Sequence, residues 1–325
     1  MDDPPSIEAL ITQLGSIGED QEPQRMGAAH KLALLGQQGS VVAMKALGEG
    51  IASERESMRR AAMYGAAATG GELMAQILLR HTQSDAKWRR KAACFALGEG
   101  APLTTAVADA LCARLHLDEP SVYVRSVAAF ALGCVYRRSI ASDDSSNAMT
   151  EKESLQLRGR IIAALLSGLS REENRLDQSL RADGTRQAAN PFGAKMWRPT
   201  DINDVCEGGG AVPPEEILAA KGMQLDRFEP VCSAVRTAIG MSLVTICTHP
   251  VPETVVPELV AELSHVILTD KNVTTVGLLM DALHRPSKHH SNAEVLRACA
   301  TLLDESSCIL PRESICRTRV SVDNE

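Results

Sequence analysis

The eight histidines stand at positions 30, 81, 116, 249, 265, 284, 289 and 290. A metal centre needs His-Glu-x-x-His or a Cys/His cluster at zinc spacing, and the chain has neither. His289-His290 beside Lys288 comes nearest, but adjacent side chains diverge on a helix, so a solvated loop is expected there. The nine cysteines (94, 112, 134, 206, 232, 247, 299, 308 and 316) form no C-x-x-C pair. An odd, scattered set within apolar runs suits buried free thiols in a reducing compartment, not a disulfide framework. Gly208-Gly-Gly210 lacks the Lys-Ser/Thr of a phosphate loop and follows no strand, so it is expected to be a hinge. No G-x-S-x-G elbow exists, and acid pairs such as Asp201/Asp204 are too ordinary to imply acid–base work. The expectation is a non-enzyme without cofactor or metal.

Arginine is more regular. Arg59-Arg-Ala-Ala-Met-Tyr-Gly-Ala-Ala67, Arg90-Lys-Ala-Ala-Cys-Phe-Ala-Leu-Gly98 and Arg125-Ser-Val-Ala-Ala-Phe-Ala-Leu-Gly133 align without gaps, at offsets of 31 and 35 residues. Each has Arg, Ala three residues on, an aromatic ring at five and a small residue at six. Cys232–Gly240 is a looser copy, and Ala28–Gly36 keeps little beyond a closing Leu-Gly. Arg59, Arg90 and Arg125 could grip carboxylates two-handed, or each could pair with an acid in a neighbouring turn, where Glu56, Asp85 and Asp118 are at hand. Two residues before each arginine come Ser57, Trp88 and Tyr123, which stacking would bring side by side. Trp88 and Tyr123 beside Arg90 and Arg125 have the composition of an interface hot spot, although the rings could simply cover neighbouring helix ends. Tyr64, Phe95 and Phe130 fall on the Ala/Leu face and are expected in the core.

The elements that hold these residues are helical. Ala is the strongest helix former, its small side chain lets helices approach closely, and the apolar residues recur three and four apart. The Leu-Gly ending is expected to stop each helix. Between the copies lie the amphipathic stretches Gly39–Ser53, Glu72–His81, Thr104–Leu117, Glu153–Ser170 and Pro252–Leu268. The chain thus alternates a helix A, a short turn and a helix B, with almost no period-two pattern of strands. Ala-Leu-Gly-Glu-Gly recurs at 46–50 and 96–100, but 50 residues is out of register with the repeat.

The Arg-x-x-Ala-x-aromatic-Ala-Leu-Gly copies resemble the second helices of HEAT-like repeats, especially the short type of phycobilisome-lyase-like proteins. The resemblance covers about residues 22–140 well and 153–305 loosely. It implies an all-α, right-handed α-α superhelix of the HEAT-like or armadillo type, about six helix pairs long, with B helices lining the inner wall. Di-iron hydroxylases built on such repeats carry paired His-Glu motifs, and this chain has no His-Glu dipeptide. A chromophore lyase of this class would hold a tetrapyrrole, and the arginine row would then grip its propionates.

Four helix pairs are expected over 1–140, a polar linker at 141–152, and further repeats over 153–310 interrupted by a long insertion at about 171–226. Residues 311–325 read as a frayed tail. Phe192 and Trp197 lie in that insertion, and rings in so polar a stretch are expected to pack in the array's groove or on a partner. The acidic excess, −7 overall, falls wholly after residue 139, and aromatics are only 3%. Both facts disfavour nucleic acid, whose binding calls for basic and stacking surfaces. The acidic N-terminus is no targeting signal, and no apolar run approaches a membrane span, so a cytoplasmic or nuclear location is expected. The leading expectation is a non-catalytic scaffold or adaptor that binds an extended protein segment in its concave groove. The alternatives are the tetrapyrrole lyase and a structural subunit of a larger complex.

Overall fold

In the computed structural model the described residues are 5–116, 118–141, 150–182, 232–247 and scattered positions of 251–263. All regular structure among them is helical. The helices are α1 (Ile7–Leu14), α2 (Glu22–Gln37), α3 (Val41–Ala52), α4 (Glu56–Thr69), α5 (Gly71–His81), α6 (Lys87–Gly100), α7 (Thr105–Leu115), α8 (Val122–Ala141), α9 (Glu151–Ala182) and α10 (Cys232–Cys247). A single 3-10 turn, Glu19–Gln21, precedes α2. Odd-numbered helices are the A helices and even-numbered ones the B helices. Each A packs on the B that follows it, and each B packs on the next B along the row α2, α4, α6, α8, α10. Successive A helices touch only lightly. This is an all-α solenoid, in which every pair leans on its neighbours. Phe192, Trp197 and the expected insertion from 183 on lie outside the described residues, while its first part, 171–182, continues α9.

The two helix classes begin differently. All the A helices but α5, whose cap is Gly70, begin on hydroxyl caps: Ser6 Oγ accepts from Ala9 N at 3.2 Å, Ser40 from Ala43 N at 3.3 Å and Thr104 from Val107 N at 3.3 Å. At α9 a reciprocal box forms, with Thr150 N donating to Glu153 at 2.8 Å and Glu153 N to Thr150 Oγ1 at 3.3 Å. Those hydrogen bonds hold the exposed Glu153 carboxyl below its usual range. B helices lack such caps at α4 and α6 and are held instead through their preceding turn, described below. Between α4 and α5, Gly70 and Gly71 take φ values of +62° and +76°, which residues with a side chain rarely adopt.

The core is one continuous cluster running between the two helix rows. Its B side is Ala-rich, with Ala61, Ala62, Ala92, Ala93, Ala128, Ala129 and Ala131 buried. The repeat glycines correct an expectation. Gly98 and Gly133 lie inside α6 and α8 with ordinary negative φ and stop nothing. They are there for contact: a Cβ on Gly98 would sit 2.6 Å from Ala131 Cα, and one on Gly133 3.0 Å from Ser242. The backbones therefore approach more closely than any side chain allows. Ser242 Oγ donates to the Ala129 carbonyl at 2.9 Å, fastening α10 to α8. The two Ala-Leu-Gly-Glu-Gly stretches fall on an A helix, α3, and a B helix, α6, so they are not equivalent positions.

Where the A helices part, open grooves remain. One of about 500 Å3 lies between α3 and α5, beside Val41, Lys45, Leu73, Ile77 and His81. Burial, then the charge of Arg89, holds the half-buried His81 ring below its ordinary pKa, and the Gly48 carbonyl opposes this only in part. The unfolded chain therefore takes up this proton first as pH falls. Stability conferred by neutral His81 is full above about 6.5 and is lost as pH drops through the lower folded value.

Two outcomes are expected. Gly98→Val should destabilise the protein by about 1–3 kcal/mol, through overpacking against Ala131, as measured by urea denaturation. The loss of stability between pH 7.5 and 5.0 should be smaller in His81→Gln than in wild type, measured by the same method.

Candidate functional site

The B-helix row is built around an arginine near the start of each B helix. Arg59 Nη1 donates to the carbonyls of Ser53 (2.9 Å) and Glu54 (3.2 Å). Arg90 Nη1 donates to those of Ser84 and Asp85, both at 2.8 Å. Arg125 Nη1 donates to the Glu119 carbonyl at 2.6 Å. In all three the acceptor six residues earlier belongs to the turn leaving the A helix. That same residue closes the turn with its side chain: Ser53 Oγ accepts from Arg55 N at 3.2 Å, Ser84 Oγ from Ala86 N at 3.3 Å, and Glu119 Oε1 from Ser121 N at 3.0 Å.

Two of the acids at hand in the turns, Asp85 and Asp118, are thus not the carboxylate partners expected of them, while Glu56 acts on Arg59 through its charge. Asp85 contributes its main-chain oxygen to Arg90, and Asp118 is an exposed residue whose carboxylate lies 3.1 Å from His116. Glu119, one residue on, is buried and receives Arg90 two-handed, Nε at 2.7 Å and Nη2 at 2.6 Å, with Arg114 Nη1 at 3.2 Å. This pairing raises the Arg90 guanidinium above its ordinary value against the opposing effect of burial. The signal that could have found Glu119 is its register, since it takes the place of Ser53 and Ser84 six residues before the arginine.

Arg90 is 7% exposed and Arg125 0%. Both guanidinium groups are enclosed and hydrogen-bonded within the packed turns. The row is also longer than the sequence alignment suggests. Arg25, 2% exposed, donates to the carbonyls of Ser16 (3.1 Å) and Gly18 (2.8 Å) and precedes Ala28 by three residues. The first copy therefore starts at Arg25, three residues before Ala28. In α10 the buried arginine is Arg236, and the residue six further on, Ser242, meets Gly133 as Ala131 meets Gly98. The fourth copy therefore starts four residues after Cys232.

The rings lie on the B helices α6 and α8. Trp88 is half-buried, with the Arg59 guanidinium of the preceding repeat 5.9 Å from its ring centroid. Burial, opposed by the charge of Glu56, lowers the Arg59 pKa. Trp88 Nε1 is enclosed and has no acceptor. Tyr123, also half-buried, has Lys91 Nζ of the preceding repeat 5.8 Å from its centroid. Each ring thus meets a cation from the repeat before it, which the spacing from Arg90 and Arg125 did not suggest, and Lys91 was missed altogether. Such contacts contribute about 0.5–1 kcal/mol each at exposed sites. Below them runs a second line. Tyr64 and Phe95 meet edge-on at 5.6 Å, and Phe95 and Phe130 stack at 6.5 Å. Phe95 is core, while Tyr64 and Phe130 are only partly buried and reach the surface of the face. Arg60, one turn before Tyr64, binds Glu22 at 2.6 Å. Although burial pushes the Glu22 carboxyl up, Arg60 and Arg25 outweigh it and hold the group below its usual range.

The described residues contain no cluster of three or more groups able to hold a metal ion. Burial pushes the Cys94 thiol up to about 12 and Cys112 up to about 11, so neither is a ready nucleophile. No helix among the described residues is long and apolar enough to cross a membrane.

No protein-family model matches the chain, and no curated protein sequence does. Among solved structures it is similar to two engineered proteins. One has 17% identity over 98% of this chain and 87% of that one, with a TM-score of 0.27. The other has 16% identity over 89% and 98%, with a TM-score of 0.28. It is also similar to human deoxyhypusine hydroxylase in complex with glycerol, at 14% identity over 90% and 96%, with a TM-score of 0.29.

Glu119→Gln should cost about 3–5 kcal/mol in urea denaturation, because it leaves Arg90 buried beside a neutral amide. Asp118→Asn, at the exposed neighbouring position, should change stability by less than about 0.5 kcal/mol.

Proposed function

We propose that this protein is a non-catalytic scaffold of the HEAT-like class that seats an extended polypeptide segment along its B-helix face. The observation that carries this reading is the line of rings and cations over three consecutive B helices, with Tyr64, Trp88, Tyr123 and Phe130 half-buried rather than enclosed. Aromatic residues flanked by arginine and lysine, partly desolvated before any partner arrives, are the usual anchors of a protein interface. Their spacing follows the repeat, which suits a chain lying across successive helices better than a compact ligand. Trp88 Nε1, a donor without an acceptor, suits a partner's main-chain carbonyl once the ring shifts to meet it. The tetrapyrrole reading loses its main support, since its propionates were to be held by arginines already committed to turn carbonyls.

The test is affinity capture from native extract, with mass spectrometry and an absorbance spectrum on the eluates. Wild type is run beside the Trp88→Ala/Tyr123→Ala double variant and beside Val42→Ser on the A-helix row, after circular dichroism has established that each variant is folded. The expected result is a polypeptide retained by wild type and by Val42→Ser and weakened about 10-fold or more in the double variant. A polypeptide held equally by all three, or a pigment without polypeptide, overturns the reading.

A further inference from the structure

The register of the arginines places one residue of every B helix in a common line. Five residues after Arg25, Arg59, Arg90, Arg125 and Arg236 stand His30, Tyr64, Phe95, Phe130 and Met241. His30 is exposed, Tyr64, Phe130 and Met241 are half-buried, and the buried Phe95 joins the two rings beside it. Leu34, one turn beyond His30, is 43% exposed and widens the apolar strip on α2. Toward the helix starts, one residue after the arginine, come the cations Arg60 and Lys91. Beyond them, two residues before the arginine, come Trp88 and Tyr123. Cations thus lie between two lines of rings, and Lys91 Nζ sits 5.8 Å from the Tyr123 centroid of the next B helix.

We infer that the segment seated on this face is acidic, its carboxylates meeting the cation row and its apolar side chains the rings on either side. This rests on the polypeptide-binding role proposed above, and charge supplies the argument. The five B helices hold twelve lysines and arginines against three acids, whereas the five A helices hold nine of each. From each repeat arginine through the following eight residues no B helix carries an acid, while Lys31, Arg60 and Lys91 add positive charge there. The three acids stand outside that window and are engaged. Glu22 is shared by Arg25 and Arg60, Glu56 acts on Arg59, and Glu99 accepts from the Cys134 thiol at 3.0 Å. The turns leading into α2, α4, α6 and α8 add Arg55 against six acids, of which Glu119 is buried and taken by Arg90, so the row stays net positive. A basic segment would be repelled here, and an acidic one is drawn in by an attraction that weakens with salt.

The test is selection from a displayed library of random peptides about 12 residues long, enough to cross the row at roughly 3.3 Å per residue. Selection runs on the full wild-type chain, and peptides that also bind Trp88→Ala/Tyr123→Ala are discarded. The retained peptides should be net negative, with apolar residues interleaved. A synthetic copy of one is then titrated into wild type and into variants shown by circular dichroism to be folded. Its Kd should rise about 10-fold in Lys91→Glu and about 3-fold in Lys91→Met, which keeps the stem and loses the charge. Lys45→Glu, the same charge reversal on α3, should leave it unaltered. Raising NaCl from about 50 to about 300 mM should weaken wild-type binding at least about 3-fold, a readout that needs no variant. Retained peptides that are neutral or basic overturn the inference and leave the binding role standing. An affinity unmoved by salt, or unmoved in a folded Lys91 variant, does the same. If wild type retains no peptide over the double variant, the inference and the binding role fall together.

Discussion

Everything in this solenoid depends on how the chain gets from an A helix to its B helix. A helix ends with carbonyl groups that have no partner within it, and the turn that follows adds more. Here those carbonyls lie against the next repeat, where water is scarce and unmet acceptors are costly. Guanidinium answers the problem because one terminal nitrogen carries two N–H groups fixed in the plane, and Nη1 alone reaches two carbonyls in Arg59 and in Arg90, leaving the rest of the group for other partners. Only Arg90 uses its remaining donors, Nε and Nη2, to hold Glu119 two-handed as well, which a lysine could not do. Other arginines tie one repeat to the last: Arg55 donates to the Gly15 carbonyl at the end of α1, and Arg89 to Ala52 at the end of α3.

This explains why the turn is more constrained than its sequence suggests. Position six before the arginine must close the turn with a side-chain oxygen and present its carbonyl to the guanidinium. Ser53 and Ser84 do no more than that. Glu119 does both, and its longer side chain crosses to Arg90 of the preceding repeat, joining two turns through one buried carboxylate. Burying charge is unfavourable unless the geometry is good, and here all the short bonds converge on a single acid. The arrangement fixes the spacing of α6 and α8 at their N-terminal ends, and Gly98 against Ala131 brings the backbones together about two turns further on.

The repeat, the helix alternation and the role of alanine were legible in the chain, because period and residue size are local properties. The register of the outer copies was not. Matching on Leu-Gly aligned Ala28 and Cys232 with Arg59, whereas the residues that do the work are Arg25 and Arg236, and their role becomes visible only when burial is known. The glycines misled for a related reason. Gly at a helix end and Gly at a helix crossing look alike in sequence, and only Ala131 lying against Gly98 distinguishes them. At the candidate site, the identities of Trp88 and Tyr123 could be read from spacing, but their cations could not. Arg59 and Lys91 reach them from the repeat before, and a contact between repeats leaves no mark in the spacing within one.

Long sequence interruptions are tolerated for the same reason that the array is stable. α10 lies many residues beyond α9, yet it packs on both α8 and α9 as the preceding B helices pack on their neighbours. In a one-dimensional array a repeat answers only to the pair beside it. The condition for adding one is that its B helix match the last, and Ser242 against Gly133 meets that condition as Ala131 against Gly98 does. Chain added between helices costs only the slowly growing entropy of closing a longer loop. Insertions can therefore accumulate between an A helix and its B helix without disturbing the B-helix face, provided the arginine that opens the next B helix is kept. In α10 it is kept, as Arg236, buried like Arg25, Arg90 and Arg125.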